Sequence, residues 1–186
     1  MEHKGTANLE TERLILRKFM KEDAEAFFKN WANDSNVTKF LRWKSHENIE
    51  VTNLILDEWI ENYNDLSFYQ WAIVLKDIEE VIGSISVVKI DEKISNFHIG
   101  YCISEKWWNK GITSEAFTKV ISFLFEEVGA LRIESQHDPL NIGSGKVMEK
   151  CGLFYEGTLR NADWSNRGIV DASMYAILAE DYFTNK

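Results

Sequence analysis

The amino-acid sequence switches repeatedly between the strand period of two residues and the helix period of 3.6, and this switching constrains the fold more than any other feature. Residues 96–103 alternate, with apolar side chains at every second position, which predicts a strand. Residues 113–128 carry apolar side chains at helical spacing and are followed by Gly129, which predicts a helix closed by a left-handed glycine. A strand that leads into a strong helix is therefore the central predicted unit.

The rest of the chain continues the same pattern. Strands are predicted at residues 13–19, 68–75, 81–90, 131–137, 154–159 and 169–178, and helices at residues 22–32, 49–63 and 142–151. The order is β-α-α-β-β-β-α-β-α-β-β, with seven strands and about four helices. This order predicts an α/β (α+β mixed) fold in which a mixed sheet carries helices on its faces.

Size and composition predict a single domain that spans residues 1–186. The chain has one proline, no internal repeat and no linker rich in proline or serine. A hydrophobic fraction of 45% is enough for a sizeable core. The two cysteines, Cys102 and Cys151, give neither a disulfide framework nor the spacing of a metal site, so no metal is predicted.

Net charge and the absence of long apolar runs limit the partners. A formal charge of −9 disfavours nucleic acid, whose binding needs a basic surplus, and suits a cationic amine. The N-terminal residues lack the apolar segment of a signal peptide, and no run reaches the ~18 apolar residues of a membrane span. We therefore expect a cytoplasmic protein with no membrane partner.

Residues 107–116, with the sequence WWNKGITSEA, join the central strand to the strong helix. A turn that enters a helix presents free backbone N–H groups and the positive end of the helix dipole, which favours an anion such as phosphate. Gly111 would let the backbone approach this anion closely, and Lys110 adds positive charge nearby. The alternative is an ordinary turn between a strand and a helix.

Residues 141–154, with the sequence NIGSGKVMEKCGLF, form a second junction between a strand and a helix. Asn141 is suited to cap this helix, which alone would explain its presence. The pair Gly145-Lys146 does not make a Walker P-loop. Leu140 stands where the first glycine is needed, and Val147 stands where Ser or Thr is needed.

Taken in order, these segments resemble the GNAT superfamily of acetyl-CoA-dependent N-acetyltransferases, and more closely its ribosomal-protein (RimJ/RimL-type) branch. Residues 9–17 (LETERLILR) resemble the first strand of that branch, residues 99–103 (IGYCI) its fourth strand, and residues 107–116 its pyrophosphate loop. Residues 141–154, 156–157 and 171–175 resemble its later helix and closing strands. Two departures lie in the loop, where Trp108 replaces Gln or Arg and Thr113 replaces Gly or Ala.

The resemblance implies a mostly antiparallel sheet that splays between its fourth and fifth strands, where acetyl-CoA would bind as the co-substrate. It implies that the backbone of Tyr101, Cys102 and Ile103 contacts the pantetheine arm and polarises the thioester carbonyl. It also gives Asn141 a pantetheine contact and gives Ser144 the protonation of the departing thiolate. The implied pyrophosphate contacts are the backbone groups of Asn109, Lys110, Gly111, Ile112 and Thr113.

The acceptor amine must lose a proton before it attacks, because a protonated amine is not a nucleophile. The resemblance assigns this general-base role to Asp163, although residues 161–168 also have the composition of a turn. His98 and His137 are alternatives, because histidine titrates near neutral pH. Direct loss of the proton to water is a further alternative.

The sequence therefore predicts an N-acetyltransferase that moves the acetyl group of acetyl-CoA to a primary amine by direct attack. The acceptor is a protein N-terminus or a small-molecule amine, and residues 40–43, between the first two helices, are candidates for its pocket. The alternative is a non-catalytic acyl-CoA-binding or sensor module on the same fold, which a buried or turned-away Ser144 would favour. The resemblance is compatible with a homodimer.

Overall fold

The computed structural model describes residues 1–184, in which six helices accompany eight strands. The strands are β1 (Leu9–Glu10), β2 (Leu14–Arg17), β3 (Gln70–Leu75), β4 (Glu80–Asp91), β5 (Asn96–Ile103), β6 (Arg132–His137), β7 (Phe154–Ser165) and β8 (Gly168–Leu178). The helices are α1 (Ala24–Phe27), α2 (Ser35–Thr38), α3 (Ile49–Asn62), α4 (Ile112–Phe123), α5 (Ile142–Lys150) and α6 (Ala179–Thr184). Single π-helical turns extend α1 through Ala32 and α4 through Val128.

The predicted fold class is confirmed, and three short elements are added to the predicted order. These are the two-residue strand β1 and the helices α2 and α6, which are too brief to give a periodic signal. The left-handed end at Gly129 is also confirmed, with a φ angle of 81°.

The largest difference from the sequence analysis lies at residues 161–168, which were expected to form a turn. Strand β7 instead continues to Ser165, and the turn is confined to Asn166 and Arg167. A bulge between Leu159 and Asp163 absorbs polar, turn-forming residues without ending the strand. Asp163 is therefore a strand residue, paired with Val170. Strand pairing in the long hairpin explains this conformation better than the local composition does.

The sheet has the strand order β1-β2-β3-β4-β5-β6-β8-β7, and neighbouring strands are antiparallel except for β5 and β6. The parallel pair is short, because Asn96–His98 matches only Arg132–Glu134. Beyond this point β5 stays paired with β4 as far as Ile103, while β6 stays paired with β8 as far as His137. The two strands therefore diverge, and this opening is the splay expected between the fourth and fifth predicted strands.

Apolar clusters cover both faces of the sheet. Strand β3 is buried on both sides, so Trp71 and Ile73 join one cluster while Ala72 and Val74 join the other. The first cluster packs α4 and α5 against the sheet, and the second packs α1 and α3 against its opposite face. This packing places α4 and α5 on the face where their first turns flank the opening between β5 and β6.

An ionic network lies on the parallel β5–β6 pair. Glu134 lies 3.2 Å from the His98 Nδ1 and 3.1 Å from the Arg132 Nε, and Arg132 reaches Glu156 on β7 at 2.6 Å. The hydrogen bond with His98 has the largest effect on the pKa of the Glu134 carboxylate. Together with the hydrogen bonds from Asn96 and Arg132, it outweighs the effect of burial and lowers the pKa of Glu134 to about 2.

We expect this network to make the folded state sensitive to acid. The pKa of Glu134 is lower in the folded protein than its ordinary value of 4.5, so its stabilising effect is present above that value and is lost as the pH falls towards 2. Glu134→Gln should therefore lower the free energy of unfolding by about 1–2 kcal/mol at pH 7 and by much less at pH 3. Urea unfolding at both pH values measures this difference, with the exposed Glu58→Gln as the control. An equal loss at both pH values would contradict the prediction.

Candidate active site

The opening between β5 and β6 forms a cleft of about 540 Å³. Its lining comes from α2 and the residues after it, from β5, from the loop before α4, and from α5. The predicted cofactor-binding residues that line this cleft are Tyr101, Cys102, Ile103, Asn109, Gly111, Ile112, Thr113, Asn141 and Ser144. Lys110 is outside the lining, and its Nζ lies over the Trp107 ring, 4.5 Å from the ring centroid.

The loop before α4 has the backbone geometry of an anion site. Asn109 and Gly111 both adopt positive φ angles, of 58° and 74°. The first hydrogen bond within α4 runs from the Glu115 N–H to the Gly111 carbonyl, 3.0 Å away, so the N–H groups of residues 112–114 have no partner inside the helix. These donors and the positive end of the helix dipole suit a phosphate group.

A clamp from the start of the chain fixes the shape of this loop. Glu115, in the first turn of α4, accepts hydrogen bonds from the Thr11 Oγ1 at 2.6 Å and from the Arg13 N–H and Nε at 3.0 and 2.6 Å. Arg13 also donates from Nη1 to the Lys110 carbonyl at 3.1 Å. Burial alone would raise the pKa of Glu115, but these hydrogen bonds outweigh it and lower the pKa. Residues 9–17, which we call the opening motif and for which the sequence predicts no role at the site, therefore position the loop.

Two lysines of α5, which the sequence analysis did not propose, add positive charge beside the loop. Lys146 and Lys150 both line the cleft. The Lys150 Nζ lies 3.5 Å from the position that a Cβ atom on Gly111 would occupy. Their spacing of four residues places them on one face of the helix, and this signal was available in the sequence. The cleft is therefore locally basic although the chain is acidic overall.

Strand β5 directs backbone polar groups into the opening. The Ile99 carbonyl accepts a hydrogen bond from the Ser135 Oγ at 2.8 Å, and the Ile103 carbonyl accepts one from the Trp108 Nε1 at 3.0 Å. Both carbonyls therefore point away from β4. Because ladder hydrogen bonds alternate along an antiparallel pair, the N–H and C=O groups of Tyr101 take the same direction. Backbone donors at Tyr101 and Ile103 thus face the cleft.

Cys102 lines the cleft and packs against the second apolar cluster, while its backbone faces its partner Ser84 on β4. The thiol lies 3.4 Å from the Ser84 Oγ. Burial raises the pKa of Cys102 to about 11, so the thiol is protonated at neutral pH. Since the thiolate is the nucleophilic form, Cys102 is a poor candidate for an acetylated intermediate.

Helix α5 bridges the opening and places Ser144 in it. The Ser144 Oγ lies 3.0 Å from the Tyr101 hydroxyl, which also donates to the Ser144 carbonyl at 3.0 Å. On the other side, Gly145 packs against β6, because a Cβ atom there would lie 2.7 Å from the His137 Nε2. Asn141 precedes the helix, but its side chain makes no capping hydrogen bond and lies in the cleft lining.

Asp163 lies on β7, outside the cleft lining, and its carboxylate joins two distant segments. Its Oδ1 accepts hydrogen bonds from the Arg42 Nε at 2.9 Å and the Arg42 Nη2 at 2.6 Å, and its Oδ2 accepts one from the Gln136 Nε2 at 2.5 Å. The Asn166 amide donates to two carbonyls of segment 38–43. We call these contacts of Asp163 and Asn166 with segment 38–43 the clasp. The general-base role of Asp163 stays a prediction.

The clasp brings residues after α2 to the cleft. Phe40 and Leu41, which were candidates for the amine pocket, line the cleft together with Asn36 and Val37. The other two candidates lie elsewhere, because Arg42 belongs to the clasp and Trp43 packs on the second apolar cluster.

The alternative bases lie outside the lining of this cleft. His98 is part of the ionic network with Glu134. His137 lies 2.8 Å from the Asp138 carbonyl through Nδ1, and its buried Nε2 has no hydrogen-bond partner.

Residues 1–184 contain neither a candidate metal centre nor a helix that could span a membrane. No group of three or more histidine, cysteine, aspartate or glutamate side chains there is placed to hold a metal ion. In the same part of the chain, no helix has the length and apolar character needed to cross a membrane.

Comparisons with known proteins agree with this geometry. A family model described as an acetyltransferase (GNAT) domain matches residues 13–153. The uncharacterized N-acetyltransferase YoaA of Bacillus subtilis (strain 168) is 33% identical over 170 residues, which cover 91% of this chain and 96% of YoaA. The chain therefore belongs to the GNAT family of acetyltransferases. Its activity is that of an acetyl-CoA-dependent N-acetyltransferase.

Solved structures show the same fold. The acetyltransferase (GNAT family) from Bacillus anthracis is 28% identical, with a TM-score of 0.82 over 94% of this chain and 99% of that chain. The ribosomal L7/L12 alpha-N-protein acetyltransferase RimL, in complex with coenzyme A, is 18% identical, with a TM-score of 0.83 over 94% and 99%. At that identity the second likeness supports the fold alone. The ribosomal-protein branch therefore stays a prediction.

Gly111→Val should weaken acetyl-CoA binding about tenfold or more, which calorimetric titration measures. A β-branched residue is strained at a φ of 74°, and its side chain would crowd the Lys150 Nζ where phosphate is expected. Gly129→Val is a matched control, because Gly129 has a similar φ of 81° at the opposite end of the helix. Similar losses of affinity in both variants would contradict a specific role of Gly111 in the cleft.

Proposed function

We propose that this enzyme transfers the acetyl group of acetyl-CoA to a primary amine by direct attack of the amine on the thioester. The observation that carries the proposal is the position of Ser144, whose side chain lines the same cleft as the loop before α4 and the backbone of β5. The cleft thereby combines donors for phosphate, donors for a carbonyl oxygen and a hydroxyl for a departing thiolate. An acyl transfer from a thioester needs all three.

The backbone of β5 would stabilise the charge that develops on the thioester oxygen. The N–H groups of Tyr101 and Ile103 face the opening and are held in place by the strand. Donors that are already oriented need no rearrangement as negative charge forms, so they act more strongly on the transition state than on the bound substrate.

The reaction is proposed to proceed without an acetyl-enzyme intermediate. The raised pKa of Cys102 leaves its thiol protonated, which disfavours transfer of the acetyl group to that sulfur. The amine would then attack the carbonyl carbon, and the sulfur of CoA would leave with a hydrogen bond from Ser144. A thiolate is a weak enough base for a hydroxyl donor to assist its departure.

We propose an α-amine, at a protein N-terminus or in a small molecule, as the preferred acceptor. The cleft lining from α2 and the residues after it includes the apolar Val37, Phe40 and Leu41. The Asp163 carboxylate nearby is already paired with Arg42. An α-amine, with a pKa of ~7.7–8.0, has far more free base at neutral pH than a lysine-like amine, with a pKa of ~10.4. An α-amine therefore depends less on a strong base than a lysine-like amine does.

The opening motif, residues 9–17, supports the proposal that the chain belongs to the ribosomal-protein branch of the family.

Release of the CoA thiol in the presence of a chelator tests this function. We expect acetyl-CoA to bind, and we expect thiol release to depend on at least one amine from a panel of peptides with free N-termini, their N-terminally blocked forms, and small amines. Release with free but not blocked peptides would support an N-terminal acceptor. Binding without amine-dependent release across the panel would favour the acyl-CoA-binding module instead.

Ser144→Ala is the matched variant, and its turnover should fall about 10²-fold or more while its affinity for acetyl-CoA stays close to wild type.

Asp163→Asn should lower turnover at low pH and recover part of it at high pH if Asp163 accepts the amine proton. A carboxylate accepts a proton and an amide does not, whereas free amine is already abundant at high pH. The pH profile of turnover measures this effect. A rise in KM with unchanged turnover would indicate lost attraction of a cationic amine rather than lost base function.

Arg42→Gln is the control for the clasp, because it breaks the same ion pair while it leaves the carboxylate in place. If both variants change the pH profile in the same way, Asp163 acts through the clasp and not as the base. If neither variant changes the profile, direct loss of the proton to water becomes the favoured route.

A further inference from the structure

The Tyr101 hydroxyl lies between strand β5 and the first turn of α5. It is 3.0 Å from the Ser144 Oγ and 3.0 Å from the Ser144 carbonyl oxygen. The ring packs against Phe117 of α4, with ring centroids 5.4 Å apart. Tyr101 therefore joins β5 to α5 at the point where β5 has already parted from β6, and it is held there by both helices.

The number of protons available defines what this pair of hydroxyls can do. A phenol and a serine hydroxyl each have one proton and can each accept hydrogen bonds. When Tyr101 donates to the Ser144 carbonyl, the Ser144 hydroxyl can donate to the phenol oxygen. When Tyr101 donates to the Ser144 Oγ, the serine hydroxyl no longer donates to the phenol oxygen, and its O–H can point into the cleft. Rotation of the two O–H groups interchanges these arrangements, with the heavy atoms left in place.

We propose that Tyr101 is a positioning residue that donates to the Ser144 Oγ and thereby directs the serine proton at the sulfur of the departing thiolate. This inference rests on the proposed function, in which Ser144 serves that sulfur. A hydroxyl that accepts one hydrogen bond becomes a stronger donor in the next, so the phenol strengthens the bond that Ser144 makes. The same hydrogen bond, at 3.0 Å between the two oxygens, restricts the rotamers of the Ser144 side chain.

Tyr101 keeps its own proton in this role. Burial raises the pKa of the phenol, which disfavours a phenolate at any point of the reaction. The phenol therefore supplies a hydrogen bond and not a proton, and no covalent bond to hydrogen is broken at Tyr101. This separates its role from that of a general acid that contacts the substrate.

The thiol of CoA reports the strength of this donor without any acceptor amine. A hydrogen bond to the thiolate lowers the thiol pKa of bound CoA, which is measured from the ultraviolet absorbance of the thiolate in a pH titration, with the desulfo-CoA complex as the blank. We expect Ser144→Ala to raise this pKa by about one unit and Tyr101→Phe to raise it by about half a unit. The double variant should match Ser144→Ala, because Tyr101 acts through the serine hydroxyl.

Tyr63→Phe is the matched control. It also removes a hydroxyl that donates to a backbone carbonyl, that of Gln70 at 2.7 Å, but it packs on the second apolar cluster and should leave the thiol pKa unchanged. The proposal is overturned if Tyr101→Phe leaves the thiol pKa unchanged, or if its effect adds in full to that of Ser144→Ala. Loss of desulfo-CoA binding in Tyr101→Phe would also overturn it, because the hydroxyl would then support the cleft itself. Failure of the wild-type enzyme to bind CoA would instead refute the proposed function.

Discussion

The parallel pairing of β5 with β6 lasts for three residues, Asn96–His98, and the active site depends on its early end. Each strand keeps its other neighbour, so the divergence does not unravel the sheet. It leaves the inner edge of β5 with backbone groups that have no strand to pair with. Unpaired N–H and C=O groups are costly when buried, so such an edge must meet water, side chains or a ligand. The opening is therefore both a defect in the ladder and a binding surface.

Helix α5 limits this defect by crossing it. It is tied to β5 through Tyr101 and packs closely on β6 at Gly145. The same helix carries Ser144 and two lysines, so one element supplies the bridge, the hydroxyl and much of the local positive charge. The position of the Ser144 hydroxyl thus follows from how the gap in the sheet is spanned.

The backbone geometry of the proposed cofactor side of the cleft could be predicted from the sequence, because local patterns define it. A glycine before a strong helix and alternation along β5 are local signals, and both lie where expected. The clasp could not be predicted in this way. Arg42 and Asp163 are 121 residues apart, and their pairing depends on a hairpin whose length was underestimated because its polar residues favour turns. Lys146 and Lys150 were overlooked for another reason, since helical lysines usually face solvent.

The clamp between Arg13 and Glu115 spans 102 residues, and this separation affects when the enzyme becomes competent. Contacts between distant residues form late in folding, because the entropy of closing a long stretch of chain is lost before the contact contributes any favourable free energy. Helix α4 can form early, but the Arg13 guanidinium supports the loop before it only after β2, which begins at the next residue, has joined the sheet. Cofactor affinity would therefore be acquired late as the chain folds. It would also be lost when a shortened or displaced N-terminus frays, while the remaining core stays closed.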